Sequence, residues 1–525
     1  MKHTAGQTDL NVVALSLVLV LMLVISLTAS LFFKESWLWM DESLSYTILS
    51  DSSLAHVNDA VVGGMDANPP LFYNVYWPIA HWVSSNPFFL KAISIFLFAL
   101  AVALFFRYTT WLIRTPVVNF VVMTVALSLT YLNYTLATQM RSYCLYLLLS
   151  CFYFIALHKL IRQPSQPRYL AAHWLAGLGL VFTHNFGLFY VGVSLGMFGL
   201  LWLWSKQRSY WLVIASHLLI FGIWLIIWYP NFKIQANAGK PHSWIPVPTF
   251  MSFFQTVGEL IPALSSRIEQ IPALAFLPVL RVGLVMGLFA YLAIPWLKKG
   301  FKAIVDNEAV SFYLMSGFMV LSTIALALVV SLGYVSVFLS RYLWPSHLLI
   351  LFQLVYAYHY FVPSSVERFT RRFVNVLPVF VLLLTGFLFY QSRKISIFPS
   401  GILSYLPQID KRYPVFFESA DYFLPIWHHK TANAFYLLDW PTAVREGNLL
   451  NATVDYNIIK SLADKYKVTQ VVSTDQFNAR TFPHFYVVDE SSRYQIEYFV
   501  ASHRVKVLRT IPVAIRGHRI LECSF

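Results

Sequence analysis

The chain has 525 residues, of which 58% are hydrophobic and only 12% are charged. Soluble domains carry roughly 25% charged residues, so this composition, with a mean hydropathy of +0.61, excludes a soluble globular protein. The net charge of +14 could suit a nucleic-acid partner. The basic residues fall instead in short loops between apolar runs, which indicates membrane topology and no nucleic-acid binding.

The first element is an apolar run at 11–33, which is too long for a signal-peptide core and lacks a small-residue cleavage site. We interpret it as a retained membrane-spanning helix. Further apolar runs of comparable length follow it along the chain. The eleven predicted spans are 11–33, 86–110, 117–136, 140–161, 169–184, 186–205, 209–229, 277–297, 309–332, 337–361 and 374–391. The sequence therefore predicts a mainly α, polytopic membrane protein.

Basic residues cluster in five of the loops between these runs. They are Arg107/Arg114, Lys159/Arg162/Arg168, Lys206/Arg208, Lys298/Lys299/Lys302 and Arg368/Arg371/Arg372. Cytoplasmic loops are enriched in Lys and Arg, so one orientation accommodates all five clusters, with the N-terminus in the cytoplasm and the C-terminus outside. The segment 71–84 is short, aromatic and interrupted by Pro78, and we interpret it as an interfacial helix on the outer face.

This topology places two long loops, 34–85 and 230–276, outside the cytoplasm. The second loop is rich in proline and aromatic residues and is long enough to fold over a site. Within it, 250–260 has the pattern of a short amphipathic helix. We expect both loops to form the site of a transmembrane domain that covers 1–391.

The region 392–525 follows the last predicted span and also lies outside. From Tyr413 onwards, short strand-like runs alternate with helix-like stretches, which predicts a small extracytoplasmic α/β domain. The predicted strands are 414–417, 434–438, 468–472 and 485–488, and the predicted helices are 419–429, 455–466 and 494–503.

Two acidic residues, Asp41 and Glu42, lie where the first span meets the outer water layer. Ionisable groups at such a boundary often mark functional sites. Two interpretations stay open from the local residues: a catalytic pair, or a helix cap made through Ser43. The same loop ends in Asp66-Ala67-Asn68-Pro69-Pro70-Leu71-Phe72-Tyr73, which adds Asp66 and Asn68 to the candidates.

Basic and aromatic residues at the outer ends of later spans form a second group of candidates. They occur in Gln139-Met140-Arg141-Ser142-Tyr143, Thr183-His184-Asn185-Phe186 and Arg341-Tyr342. Each alone has a structural explanation, because a boundary arginine usually snorkels to lipid headgroups and a histidine at a helix turn is usually structural. All three groups share one predicted depth in the membrane with the acidic residues. Separate structural explanations for each residue do not account for this shared depth.

Acids, arginines and a histidine at one depth suit a substrate with a phosphate and a reacting hydroxyl group. Arginine binds phosphate oxygens in a bidentate manner, and a carboxylate can accept the hydroxyl proton. The sequence has no Gly-rich phosphate loop of the soluble nucleotide-binding kind. A phosphate on a lipid carrier within the membrane is therefore the expected ligand.

These residues also carry a family resemblance. Over about residues 11–360, the chain resembles the class C (GT-C) membrane glycosyltransferases, the superfamily of protein mannosyltransferases and aminoarabinose lipid A transferases. The resemblance rests on Asp41-Glu42, Asn68-Pro69-Pro70-Leu71-Phe72-Tyr73, Gln139-x-Arg141-x-Tyr143, Thr183-His184-Asn185-Phe186-Gly187 and Arg341-Tyr342, in this order. It implies a GT-C-like fold, a polyprenyl-phosphate sugar donor and an acceptor that approaches from outside.

The resemblance also implies roles for these residues. Asp41 falls on the catalytic acidic position as the general base of an inverting transfer, with Glu42 beside it. The predicted donor-phosphate ligands are Arg141, Tyr143, His184, Arg341 and Tyr342. The predicted support for the acceptor or for a divalent metal ion comes from Asp66, Asn68 and His242. Whether a metal is needed stays open.

We therefore expect an integral-membrane hexosyl- or pentosyltransferase of a bacterial inner membrane that modifies a lipid, glycan or protein acceptor. The alternative is a transporter or lipid flippase of cell-envelope precursors, which would place charges at mid-membrane on broken helices. The polar candidates here cluster at one face instead. A third possibility is a scaffold with an inactive acidic loop, against which the intact Asp41-Glu42 pair argues.

Overall fold

The computed structural model describes residues 5–33, 38–238, 244–263, 274–383, 386, 400–448, 451–490 and 494–525. The chain forms two compact units, which we call the helical unit and the mixed unit. The helical unit comprises Met1–Phe33, Phe88–Ile227 and Val247–Phe389, and the mixed unit comprises Lys34–Pro87, Trp228–Pro246 and Tyr390–Phe525. The predicted site residue His242 lies outside the described residues.

The helical unit is built from helices, most of which are apolar. They are Ala5–Phe33, Pro87–Ile113, Pro116–Ser128, Tyr131–Ala137, Tyr143–Arg162, Pro167–Thr183, Gly187–Ser205, Tyr210–Ile227, Phe250–Gly258, Leu277–Lys299, Phe301–Asp306, Glu308–Gly333, Trp344–Phe361 and Ser364–Phe373, and residues 377–383 are also helical. The helix at Phe250–Gly258 matches the amphipathic segment predicted at 250–260.

Seven helices of the described chain are long and apolar enough to cross a membrane, which makes this an integral multi-pass membrane protein. They include Asn11–Leu31, Pro87–Ile113, Tyr143–Arg162, Gly187–Ser205, Tyr210–Ile227, Leu277–Lys299 and Glu308–Gly333. The predicted count of eleven is not confirmed. Pro167–Thr183 and Trp344–Phe361 do not meet the same test, and the predicted span at 374–391 lies partly outside the described residues.

The predicted span at 117–136 is a bent pair of helices. The helix that ends at Ser128 and the one that begins at Tyr131 meet at 76°. At the bend, the Thr130 hydroxyl and the Asn133 amide donate to carbonyl oxygens of the preceding helix at 2.9 and 3.1 Å. These side chains satisfy carbonyl groups at the break, which is how a broken helix is tolerated in an apolar environment.

Contacts at one end of the helical unit bring several of the predicted basic loops together. Arg162, in the last turn of its helix, forms an ion pair with Glu308, in the first turn of another. The Lys159 ammonium group lies 3.5 Å from the ring centroid of Trp111, near the end of a third helix. These contacts bring helix ends with basic residues together, and the common membrane side of the basic loops stays a prediction.

The mixed unit combines short helices with a six-stranded sheet. Its helices are Met40–Leu49, Leu54–Ala60, Leu71–Trp82, Tyr229–Ala238, Ser400–Leu403, Ala420–His429, Trp440–Ala443, Ala452–Tyr466 and Gln495–Ala501, with a π-helical turn at Val61–Met65 and a 3-10 turn at Leu406–Gln408. Its strands are β1 Val415–Phe417, β2 Ala434–Leu438, β3 Val471–Ser473, β4 His484–Asp489, β5 Lys506–Pro512 and β6 Arg519–Ser524.

The sheet has the strand order β3-β2-β1-β4-β6-β5. The first four strands of that order pair in parallel, and β6 pairs antiparallel with both β4 and β5. A cluster of buried aromatic side chains, among them Phe416, Phe477 and Phe485, forms the core on one face. The predicted α/β character of the C-terminal region is confirmed, although β5 and β6 were absent from the sequence prediction.

Candidate active site

The predicted acidic pair lies at the start of the Met40–Leu49 helix. Trp39 occupies the N-cap in an extended conformation, and Asp41 and Glu42 belong to the first turn. Ser43 lies within the helix, and its hydroxyl donates to the Leu38 carbonyl at 3.2 Å. Neither carboxylate therefore occupies the N-cap, although both gain from the helix dipole. Glu42 is buried and Asp41 is half-buried.

Asp66 is buried and fixes the conformation of the Asn68-Pro69-Pro70 segment. One carboxylate oxygen accepts from the Asn68 backbone and side-chain amides at 2.9 and 3.1 Å. The other accepts from the Tyr73 hydroxyl at 2.6 Å, and that hydroxyl lies 3.4 Å from Ser45 Oγ. Ser45 is four residues after Asp41 on one helix, so both lie on the same helix face. The structure thus links the Asp66 loop to the helix that carries Asp41.

Aromatic candidates of the helical unit gather around His184. Its ring stacks on Tyr146 at 4.9 Å between centroids and contacts the edge of Tyr342 at 5.0 Å. Tyr143 lies 6.0 Å away. Tyr143 and Tyr146 lie at the start of one helix, and His184 and Tyr342 lie just before two others. The structure therefore brings together three of the five predicted donor-phosphate ligands, Tyr143, His184 and Tyr342.

A backbone hydrogen bond defines the tautomer of the His184 imidazole. The Phe186 amide donates to His184 Nδ1 at 3.1 Å, so the proton of the neutral ring lies on Nε2. Arg341 places its guanidinium carbon 5.5 Å from the Tyr342 ring centroid. Arg141 is buried in the turn that precedes Tyr143, with 8% of its surface exposed. Cationic and donor groups thus lie beside the aromatic rings.

Sequence reasoning missed Tyr146 as a member of this cluster. It lies three residues after Tyr143, so the helical period places both rings on one face, and that spacing is the signal that could have identified it. The Tyr146 hydroxyl and Gln139 Oε1 are buried and have no hydrogen-bond partner within the described residues. Buried polar groups are normally paired, so these two atoms are available to a ligand.

The turn that holds His184 depends on close backbone packing at Gly187. A Cβ atom placed there would lie 2.7 Å from the carbonyl oxygen of Leu180, a backbone atom that cannot rotate away. The Gly187 amide also donates to the His184 carbonyl at 2.8 Å. The glycine of the Thr183-His184-Asn185-Phe186-Gly187 motif is therefore required by the packing of two successive helices.

We expect the Gly187→Ala variant to lose about 1–3 kcal/mol of stability, the typical cost of overpacking a buried site. Gly196→Ala is the matched control, because the same helix carries Gly196 and nothing lies within 4 Å of a Cβ there. Thermal unfolding of both purified variants in one detergent measures the difference. Equal melting temperatures for the two variants would contradict the packing argument.

The predicted site residues thus form two groups, each within its own unit. Asp41, Glu42, Asp66 and Asn68 belong to the mixed unit, and the basic and aromatic residues belong to the helical unit. Among the residues that the structure describes, no three His, Cys, Asp or Glu side chains are placed to hold a metal ion together.

Comparison with known proteins places this fold in a class. No protein-family model matches the chain, and no curated protein sequence matches it. Solved structures identify the fold as that of the GT-C class, which confirms the resemblance seen in the sequence. At the sequence identities involved, the likeness establishes the fold.

The chain is similar over almost its whole length to ArnT from Cupriavidus metallidurans, an aminoarabinose lipid A transferase. Against ArnT bound to undecaprenyl phosphate, the identity is 12% and the TM-score is 0.52, covering 99% of this chain and 98% of that one. Against ArnT in the apo state, the identity is 10% and the TM-score is 0.58, covering 96% and 97%.

Proposed function

We propose that this protein is a membrane glycosyltransferase that moves one sugar from a polyprenyl-phosphate carrier to an acceptor outside the cytoplasm. The observation that carries the proposal is the fold likeness over nearly the whole chain to a transferase whose structure holds undecaprenyl phosphate. The cluster around His184 supports it, because its groups suit the phosphate of such a carrier.

In the helical unit, the donor phosphate is the proposed ligand of the cluster. Arg141 and Arg341 supply guanidinium groups, which bind phosphate oxygens in a bidentate manner. His184 offers its Nε2–H as a donor, with Tyr143 and Tyr342 packed against the imidazole. These positive and donor groups would stabilise the charge that grows on the phosphate as it leaves.

In the mixed unit, Asp41 is the proposed general base. It would take the proton of the acceptor hydroxyl as that oxygen attacks the anomeric carbon. The bond from the anomeric carbon to the phosphate oxygen would break from the opposite side, so the configuration inverts and the polyprenyl phosphate departs with the electron pair. Glu42 and Asp66 would orient the acceptor, since Asp66 already holds the neighbouring loop through Asn68 and Tyr73.

The proposed location is the inner membrane of a bacterium, with the N-terminus in the cytoplasm. The basic loops support this orientation, because Lys and Arg accumulate in cytoplasmic loops. The mixed unit, with Asp41 and the C-terminal sheet, would then face the outer side, where the acceptor is found. The proposed acceptor is a lipid, a glycan or a protein on that side.

Lipid binding by the purified full chain provides the first test. Native mass spectrometry should show retention of undecaprenyl phosphate and at least tenfold weaker retention of undecaprenol, the same lipid without the phosphate. Mass spectrometry of cell-envelope lipids and glycans, with and without this protein, should then reveal a sugar that depends on it. Equal retention of both lipids, or unchanged envelopes, would contradict the proposal.

A further inference from the structure

A polar cleft lies within the mixed unit, and none of the proposed catalytic residues lines it. It is an open cleft of about 570 Å³, inside the range of about 300–1,000 Å³ that is typical of small-molecule sites. Its lining residues are Tyr46, Thr47, Ser50, Asp51, His56, His428, Lys465, Tyr466 and Lys467. These residues supply four aromatic rings, four hydroxyl groups, a carboxylate and two ammonium groups, and none of them is Val, Leu or Ile.

The walls of the cleft are tied together by contacts between distant parts of the chain. The Lys465 ammonium group pairs with Asp59 at 2.5 Å, and Ser461 Oγ donates to the Gly63 carbonyl at 2.8 Å. The His56 and Tyr466 rings lie 5.3 Å apart. These contacts join the first loop to the Ala452–Tyr466 helix, so the cleft is preformed.

The half-buried Asp51 is the acidic residue among those that line the cleft. The Asp51 carboxylate accepts from the Ser53 amide at 2.9 Å and pairs with His56 Nδ1. Burial pushes the pKa of Asp51 upwards, but these hydrogen bonds outweigh it and hold the pKa below its ordinary value. Asp51 is therefore ionised at neutral pH, and its charge is already used by His56.

The remaining side chains set the chemistry that the cleft offers to a ligand. Tyr46 and His428 form an edge-to-face pair with centroids 5.1 Å apart, and burial with the neighbouring His429 lowers the pKa of His428 to about 4. Its ring is therefore neutral and offers hydrogen bonds. Lys467 donates to the Asp464 carbonyl at 2.7 Å, and no carboxylate among the described residues neutralises it.

This combination fits a sugar better than an apolar ligand or a bare ion. Aromatic side chains with polar tips present an apolar surface beside hydrogen-bonding groups, as a sugar ring requires. The hydroxyls of Thr47 and Ser50 add hydrogen-bond donors and acceptors. The ammonium group of Lys467 adds a positive charge at the exposed rim. We infer that this cleft binds a saccharide that carries an acidic substituent, a phosphate or a carboxylate.

The inference deepens the proposed function, and it rests on that function only in assigning the saccharide to the acceptor. Tyr46 follows Asp41 by five residues on the same helix, which places it about 8 Å further along the helix axis. An acceptor whose hydroxyl reaches Asp41 would need further sugar units to reach the cleft. The cleft would thus select extended, acidic acceptors over single sugars.

Saturation-transfer NMR on the full chain in nanodiscs tests the inference without any polyprenyl lipid. The probes are glucosamine 6-phosphate, glucuronic acid and glucose, with inorganic phosphate as competitor. We expect both acidic sugars to bind more tightly than glucose. Lys467→Gln should weaken their binding about 2–5-fold, the worth of an exposed ion pair, and should leave glucose unchanged. Tyr46→Leu should weaken all three sugars.

Lys411→Gln is the control, because Lys411 is an exposed lysine of the same unit that does not line the cleft. Three outcomes would overturn the inference: glucose binding as tightly as the acidic sugars, inorganic phosphate displacing them at equal concentration, or Lys467→Gln and Tyr46→Leu both behaving as wild type. If the wild-type protein binds the acidic sugars as expected but transfers no sugar from a polyprenyl-phosphate donor, that result would count against the proposed function alone.

Discussion

The Asp41→Asn variant is expected to transfer sugar about 10²–10⁴-fold more slowly than the wild-type protein, because general-base catalysis typically contributes a factor of that size. The amide keeps the size of the carboxylate but cannot accept the hydroxyl proton. Donor binding should persist, since the residues proposed to hold the phosphate belong to the helical unit. Single-turnover transfer by purified protein, with donor binding measured in parallel, gives both quantities.

The competing interpretation gives Asp41 a purely structural role, and the structure limits what that role can be. Asp41 lies in the first turn and not at the N-cap, so its structural worth is the helix-dipole interaction of about 0.3–1 kcal/mol. Asp421 is a matched control, because it is also an aspartate in the first turn of a helix in the mixed unit. Asp421→Asn should retain transfer. Near-wild-type turnover by Asp41→Asn would remove Asp41 from the catalytic role.

The second large effect is expected at the two arginines of the helical unit. Arg141→Ala and Arg341→Ala should each weaken binding of undecaprenyl phosphate about 10–150-fold, since a hydrogen bond to a charged group is worth about 1.5–3 kcal/mol. Lysine at either position should restore only part of the affinity, because an ammonium group cannot bind in the bidentate manner. Titration with the lipid in detergent, followed by native mass spectrometry, measures the change.

Arg168→Ala is the control for this experiment. Arg168 is exposed and lies beyond the end of the helix that finishes at Arg162, whereas Arg141 precedes the start of that same helix. The Arg168→Ala substitution therefore removes one positive charge near the opposite end of that helix. Unchanged lipid affinity in both Arg141→Ala and Arg341→Ala would identify these arginines as headgroup anchors.

The apolar runs of the membrane part could be recognised in the sequence because each spanning helix must be apolar along its length. The bend near Thr130 could not be recognised in the sequence. The Asn133 side chain there accepts from the indole of Trp344 at 2.9 Å and contacts the imidazole of His347 at 3.1 Å. Partners more than 200 positions away in the chain leave no local pattern, so one continuous span was the natural prediction.

In the C-terminal sheet, too, some elements could be predicted from a local sequence pattern and others could not. Four of its strands, such as β2 at Ala434–Leu438, overlap short apolar runs and were predicted, whereas the largely buried strand β6 was missed. The strand β5 lies at the sheet edge, is mostly exposed and carries an irregularity between Val507 and Arg509. An exposed edge strand needs no apolar alternation, so its sequence resembles a loop.

For the candidate site, residue chemistry and order along the chain were enough to select His184, Tyr143 and Tyr342, which the structure places together. The roles of these residues and of Asp41 stay predictions. The hydrogen bonds that hold Asp66 were not predictable, because they depend on how the Pro69-Pro70 turn brings Tyr73 back to it. Sequence identified the chemistry of the residues, and tertiary packing decides which of them lie together.

The mixed unit is assembled from three segments that are far apart in the chain, and this has a consequence for biogenesis. The Leu38 amide donates to His429 at 3.2 Å, and Gln235 donates to the Asp66 carbonyl at 2.8 Å. During synthesis, the loop that carries Asp41 emerges long before either partner exists. That loop therefore lacks these partners until the segment that carries His429 has been made, so the mixed unit can form only after most of the chain has been synthesised.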